Sequence, residues 1–242
     1  MENFFKNLMR KSIDSNDSVK DKLSEEKPEN LNTGNTAISS EWSSGEASFT
    51  HRIYQDYEAY KQHQRSKLGK INLVNYDKKY RESLVNRLNE LSLLKRGDNI
   101  LCLGARIGTE CKAFIDLGCF PIGIDLNPGD NNSYVVHGDF HDLQFADASV
   151  DYVFTNSLDH VFYFDKVMAE IVRVLQPKGA FIAEIVAGTK DEHGREPGLY
   201  ESCWWETVED VINKIINSGF LLERRERFSY PWGGDQLLFR KC

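Results

Sequence analysis

The chain of 242 residues has no apolar run near the roughly 18 residues needed to cross a bilayer; the longest, 180–187, is broken by Glu184. A helical membrane span is excluded. Cysteine is sparse: Cys102, Cys111, Cys119, Cys203 and Cys242 make an odd count with no Cys-x-x-Cys pair. Neither a disulfide framework nor a zinc site is expected from that pattern, and no metal is. Residues 1–18 lack both a sustained apolar stretch and a small-residue cleavage site, so no secretory signal is read there. A reducing cytoplasm is the expected compartment. Positive charge is in deficit, with 30 Lys plus Arg against 37 Asp plus Glu and a net of −7, a poor match for nucleic acid.

What is present is enough for a full core: 40% hydrophobic and 12% aromatic residues. It is unevenly spread. Residues 11–48 are mostly Ser, Asn, Asp, Glu and Lys, too polar to offset the entropy of ordering, so 1–50 is expected to be a disordered leader. Residues 51–95 hold 10 basic and 5 acidic side chains, 10 − 5 = +5. Tyr54, Tyr57, Tyr60 and Gln64 fall on one helical stripe, and Leu84, Leu88 and Leu91 on another. They predict a helical cap over 51–96. Either these helices simply dock on the main domain, or they form a lid whose Tyr residues, His63 and Lys67 face an anionic ligand.

From residue 97 short β-rich runs alternate with helical stretches. Strands are predicted at 99–103, 121–125, 134–136, 151–155, 180–186, 220–228 and 236–240, and helices at 108–117, 164–175 and 206–218. Alternation of this kind implies βαβ units and a parallel sheet between helix layers, an α/β fold. Between the last two strands only 229–235 intervene, too few for a crossover helix, so those strands should pair antiparallel.

In open α/β sheets ligands bind beyond the carboxyl ends of the strands. Here the first strand runs into Gly104-Ala105-Arg106-Ile107-Gly108 and then a helix. Such a turn brings backbone close to a ligand and aims helix amides at an anion. Asp125, at the end of the second strand, can accept both ribose hydroxyls of an adenosine. A dinucleotide fingerprint would fall on Gly104, Arg106 and Thr109, with two of its three glycines missing. A nicotinamide-dependent oxidoreductase is therefore the weaker alternative.

The ordered set Leu103-Gly104-x-x-x-Gly108, Gly123-Ile124-Asp125, Gly138-Asp139-Phe140, Asp151-Tyr152-Val153-Phe154 and Val174-Leu175-x-Pro177-x-Gly179 resembles the class I S-adenosylmethionine-dependent methyltransferases, type 11-like. The resemblance covers roughly 97–240, within a methyltransferase domain expected over 97–242, and implies a Rossmann-like seven-stranded, mostly parallel sheet whose last strand is antiparallel. It implies S-adenosylmethionine as cofactor. Gly104, Ala105, Arg106 and Gly108 would lie along its methionine end, Asp125 with Leu126 at its ribose, Asp139 and Phe140 at its adenine, and Asn156 near the methyl. The departure is Arg106, where the family's turn usually has a second glycine; the arginine could pair with the cofactor carboxylate or with Glu110.

Methyl transfer from a sulfonium chiefly needs alignment and desolvation of two reactants, and a base only where the acceptor must lose a proton. His160 is the first candidate base, with Asp159 orienting it or binding substrate; alternatively His160 only packs the loop. The long segment 190–206 carries His193, Tyr200, Trp204 and Trp205. With Trp232 these suit a sugar or planar ring, His193 serving as a second candidate base, or the tryptophans anchor the core. The expected activity is methylation, at oxygen, of a small molecule or glycan. A non-catalytic adenosyl-binding or interaction module is the other reading.

Overall fold

The computed structural model describes residues 40–44, 48–70 and 73–242. Its elements in chain order are β1 (Trp42–Ser44), β2 (Phe49–Arg52), α1 (Tyr57–Arg65), α2 (Val74–Glu90), β3 (Asn99–Leu103), α3 (Thr109–Asp116), β4 (Phe120–Asp125), β5 (Val135–His137) and β6 (Val150–Thr155). After them come α4 (Phe164–Val174), β7 (Leu175–Val186), β8 (Cys203–Trp205), α5 (Val208–Asn217), β9 (Phe220–Phe228) and β10 (Gly234–Lys241). Short 3-10 turns sit at Leu68–Lys70 and Leu158–His160.

The large sheet has the order β5-β4-β3-β6-β7-β10-β9. Its first five strands run parallel, while β10 is antiparallel to both β7 and β9. Strand order therefore reverses between β3 and β6, where the carboxyl ends of both strands open the crevice expected of this architecture. Alternation along β3 feeds both faces: Leu101 and Leu103 join the core under α4 and α5, and Ile100 and Cys102 join the core under α2 and α3.

Two departures from the sequence-based expectation have clear causes. First, α2 is not part of a cap. Its Tyr80, Leu84 and Leu88 are fully buried against Ile100, Phe154 and Leu238, so it is one of the layers covering the sheet. Second, the expected leader lies outside the described residues up to 39, but beyond that point it contributes strands. β1 pairs with β2, and β2 pairs with β8 through Phe49↔Trp205 and Thr50↔Trp204. Phe49, alone in a polar stretch, packs edge-on to Phe164 and Trp205 at 5.8 and 6.4 Å. Phe49 and the partly buried Trp42 supply apolar contact that helps offset the ordering cost of β1 and β2.

Helix α1 is held over the strand ends by an aromatic and polar cluster. Asp56 caps it by accepting from the Ala59 amide at 2.8 Å. Tyr57 donates to Asp139 Oδ2 at 2.8 Å, and buried Tyr60 donates to the His160 carbonyl at 3.1 Å. His141 accepts the Phe162 and Tyr163 amides on Nε2, so its ring proton lies on Nδ1, 2.8 Å from Asp139 Oδ1. Burial raises the Asp139 carboxyl, but the hydrogen bonds from His141 and Tyr57 outweigh it and hold the group at about 2.

Candidate active site

The turn after β3 is built from left-handed backbone: Gly104 at φ 68°, Arg106 at 44° and Gly108 at 79°. At Gly104 a side chain is excluded, since a Cβ would sit 2.9 Å from Ser157. Asp125 pins this turn, accepting the Arg106 amide at 3.0 Å on one carboxylate oxygen and the Asn127 amide at 2.8 Å on the other. Each oxygen keeps a further lone pair for a ligand.

Above these strand ends lie two adjoining cavities. The narrower, about 40 Å³, is walled by Gly104, Arg106, Asp125, Leu126 and Phe140 from the sheet side. Tyr60, Gln64, Lys67 and Leu68 roof it from α1 and the turn that follows. The wider, about 270 Å³, is lined by Tyr76, Asn156, Asp159, Glu184, Arg195, Glu201, Trp205 and Trp232 among others. Lys67, Arg106, Ser157 and His160 border both. Of the residues the lid reading named, Tyr60 and Lys67 border the narrow cavity, whereas His63 is turned to Tyr54, 2.8 Å from its hydroxyl.

Electrostatics concentrate at the shared wall. His160 Nδ1 faces the Tyr200 carbonyl at 2.9 Å, and Nε2 meets Lys67 Nζ at 2.7 Å. A carbonyl only accepts and an ammonium only donates, so the imidazole is neutral with its proton on Nδ1. Burial, helped by Lys67, holds His160 well below the ordinary histidine range. Burial and Arg106 bring Lys67 down to about 8. Asp159 is buried, with His160 Nε2 3.8 Å away, and burial raises its carboxyl. Asn156 donates to both the Tyr80 hydroxyl and Glu110 Oε1, at 2.8 and 3.0 Å. Glu184, fully buried, accepts from Tyr80, Arg87 and Gln236.

Of the residues singled out from sequence, Gly104, Arg106, Asp125, Leu126 and Phe140 line the narrow cavity, and Asn156, Asp159, His160 and Trp232 line the wide one. Ala105 is buried beneath the turn and Gly108 caps α3, each a step behind the cavity wall. Asp139 is committed to His141 and Tyr57. Tyr200 touches the site through its carbonyl, its ring stacking on His63 at 5.1 Å. Trp204 is buried, stacked on Trp205 at 5.5 Å beneath Arg195, so the core-anchoring alternative describes it. His193 is exposed and borders a separate depression with Asp191, Arg227 and Asp235. Arg195 and Glu201 come from the 190–206 segment read as acceptor-facing, whereas sequence reasoning missed Ser157, Tyr76 and Glu184, which lie far apart in the chain and carry no local motif.

The family model of the methyltransferase domain matches residues 101–183, which span the strand-end turn, the Asp125 and Asp139 strand ends and the shared wall. Residues 101–183 are thus a methyltransferase domain of the S-adenosylmethionine-dependent type. S-adenosylmethionine is its cofactor. None of the curated proteins compared matches it. Among solved structures, this methyltransferase is similar to the Burkholderia thailandensis 1,6-didemethyltoxoflavin-N1-methyltransferase. That chain is 17% identical, with TM-score 0.60, over 83% of this chain and 99% of that one. A Haloferax volcanii methyltransferase solved with its activator Trm112 matches at 18% identity and TM-score 0.55, over 69% and 94%. The [4+2]-cyclase SpnF matches at 19% and 0.54, over 66% and 80%. These likenesses are to the fold. The residues present fit the cofactor: bare backbone at Gly104 on the cavity wall, where Ser157 leaves no room for a side chain, a carboxylate at Asp125 with lone pairs to spare, and the Arg106 guanidinium on the same wall.

Proposed function

We propose that this methyltransferase acts on a hydroxyl oxygen of a small molecule or glycan seated in the wider cavity. The observation that carries this is the pair of cavities meeting across one wall of four residues, with a neutral histidine in it. When bound, S-adenosylmethionine supplies an electrophilic methyl group on a sulfonium. Gly104 and Asp125 hold the methionine and ribose parts of that molecule, and Arg106 meets its carboxylate. Asp159 and Trp232 orient the acceptor, while the α1 roof excludes water. Methylation at oxygen is favoured because a hydroxyl must lose a proton, and the shared wall carries the Lys67–His160 pair to receive it. The acceptor is not read from the neighbours, one an N1-methyltransferase and another a cyclase.

The test is incubation with S-adenosylmethionine labelled in its methyl group, against pools of hydroxylated small molecules and glycans. Label recovered as a methyl ether is expected, with turnover falling about 10²–10⁴-fold in His160→Ala while cofactor binding persists. Label on nitrogen overturns the oxygen assignment. Cofactor binding without transfer to any pool favours a non-catalytic adenosyl-binding module.

A further inference from the structure

We propose that Lys67 is the base of the methyl transfer, taking the acceptor hydroxyl's proton on Nζ, with His160 as its positioning residue. This rests on the reading that cofactor and acceptor meet across the shared wall, and it names the atom that receives the proton.

Lys67 and Arg106 are the two cationic residues bordering both cavities. A guanidinium does not release its proton in proteins, whereas a buried amine does. His160 has no nitrogen to spare: Nδ1–H is given to the Tyr200 carbonyl and the Nε2 lone pair is taken by Lys67. A neutral Lys67 amine keeps one N–H on Nε2 and turns its own lone pair to the acceptor. The groups facing Nζ are Arg106 from the turn after β3, Asp125 at the end of β4, Asp159 and His160 after β6, and Glu201 with the Tyr200 ring, 5.4 Å away, before β8. Burial and Arg106 bring the amine down to about 8, against the opposing pull of Asp159, Glu201 and Asp125. A sulfonium across the same wall adds a further positive charge and favours the neutral amine. In the transfer the oxygen's electron pair forms the new C–O bond and the C–S pair stays on sulfur. The hydroxyl proton passes to Nζ, so the positive charge moves from sulfonium to ammonium and is conserved.

The test needs no acceptor. S-adenosylmethionine and S-adenosylhomocysteine are titrated calorimetrically into the full chain near neutral pH, in two buffers of different ionisation enthalpy, and protons released are counted. The sulfonium ligand should release about half to one proton more than the thioether, and that difference should vanish in Lys67→Met. Lys67→Arg, which keeps the charge, serves if the methionine variant does not fold. Equal release for both ligands in the wild type, or a difference that survives both substitutions, overturns the proposal while leaving the cofactor reading intact. Failure of a folded wild type to bind either ligand overturns both.

Discussion

Glu110 shows how a single residue couples the site to stability. It stands in the first turn of α3, is buried, and accepts from Asn156. Burial pushes its carboxyl up to about 7, against the lowering from its own backbone amide, Asn156 and Arg106. A group raised in this way contributes stability below its ordinary value, and the contribution is lost as pH rises through about 7. Glu110→Gln keeps the oxygen that Asn156 uses and removes the charge. Thermal unfolding should find the variant near wild type at about pH 5 and a few degrees more stable at about pH 8; an equal shift at both would contradict this account. Asp139 carries the opposite sign. Its carboxyl is held at about 2, so its contribution is present above the ordinary aspartate value and fades as pH falls. Asp139→Asn should cost about 1–3 kcal/mol at neutral pH and flatten the acid limb of the stability curve. Neither environment was legible in the sequence, because the partners, Asn156 for one and Tyr57 for the other, are set by the meeting of separate elements.

At the scale of elements, periodicity carried most of the information. Strand β3 at 99–103 and strand β9 at 220–228 coincide with the alternating runs that predicted them, and the antiparallel β9–β10 pairing follows from a connection too short for a helix. What escaped prediction was the three-stranded sheet, since β1, β2 and β8 have 3, 4 and 3 residues, too few to show a period. That sheet depends on long-range aromatic contact. Trp205 packs on Phe49, stacks on Trp204 and donates from its indole to the Val186 carbonyl at 3.0 Å. Trp205→Ala should destabilise the fold by about 3–5 kcal/mol in chemical denaturation. The loss should release β2 to proteolysis ahead of the large sheet; uniform loss of protection across both sheets would argue that the small one is not an independent layer.

For the whole molecule, the functional centre lies where the strand order reverses: the ends of β3, β4 and β6 with α1 above them wall the narrow cavity together with Phe140, and α2, β7, β8 and the β9–β10 connection add the far side of the wide one. The cofactor half of that centre was legible because a strand-end turn and an acid at the next strand end are local signals. The acceptor half was legible only in part, through Asp159, His160, Trp205 and Trp232, because Tyr76 and Glu184 reach it only through the fold. The central claim is that the narrow cavity, anchored by Asp125, is where S-adenosylmethionine binds. The most direct measurement is calorimetric titration of that cofactor into the wild type and Asp125→Ala, with a nicotinamide dinucleotide as control. The account predicts micromolar binding, about −8 kcal/mol, weakened at least about tenfold by the substitution, equivalent to about 1.4 kcal/mol, with no heat from the dinucleotide. Undiminished binding by a folded Asp125→Ala variant would contradict it.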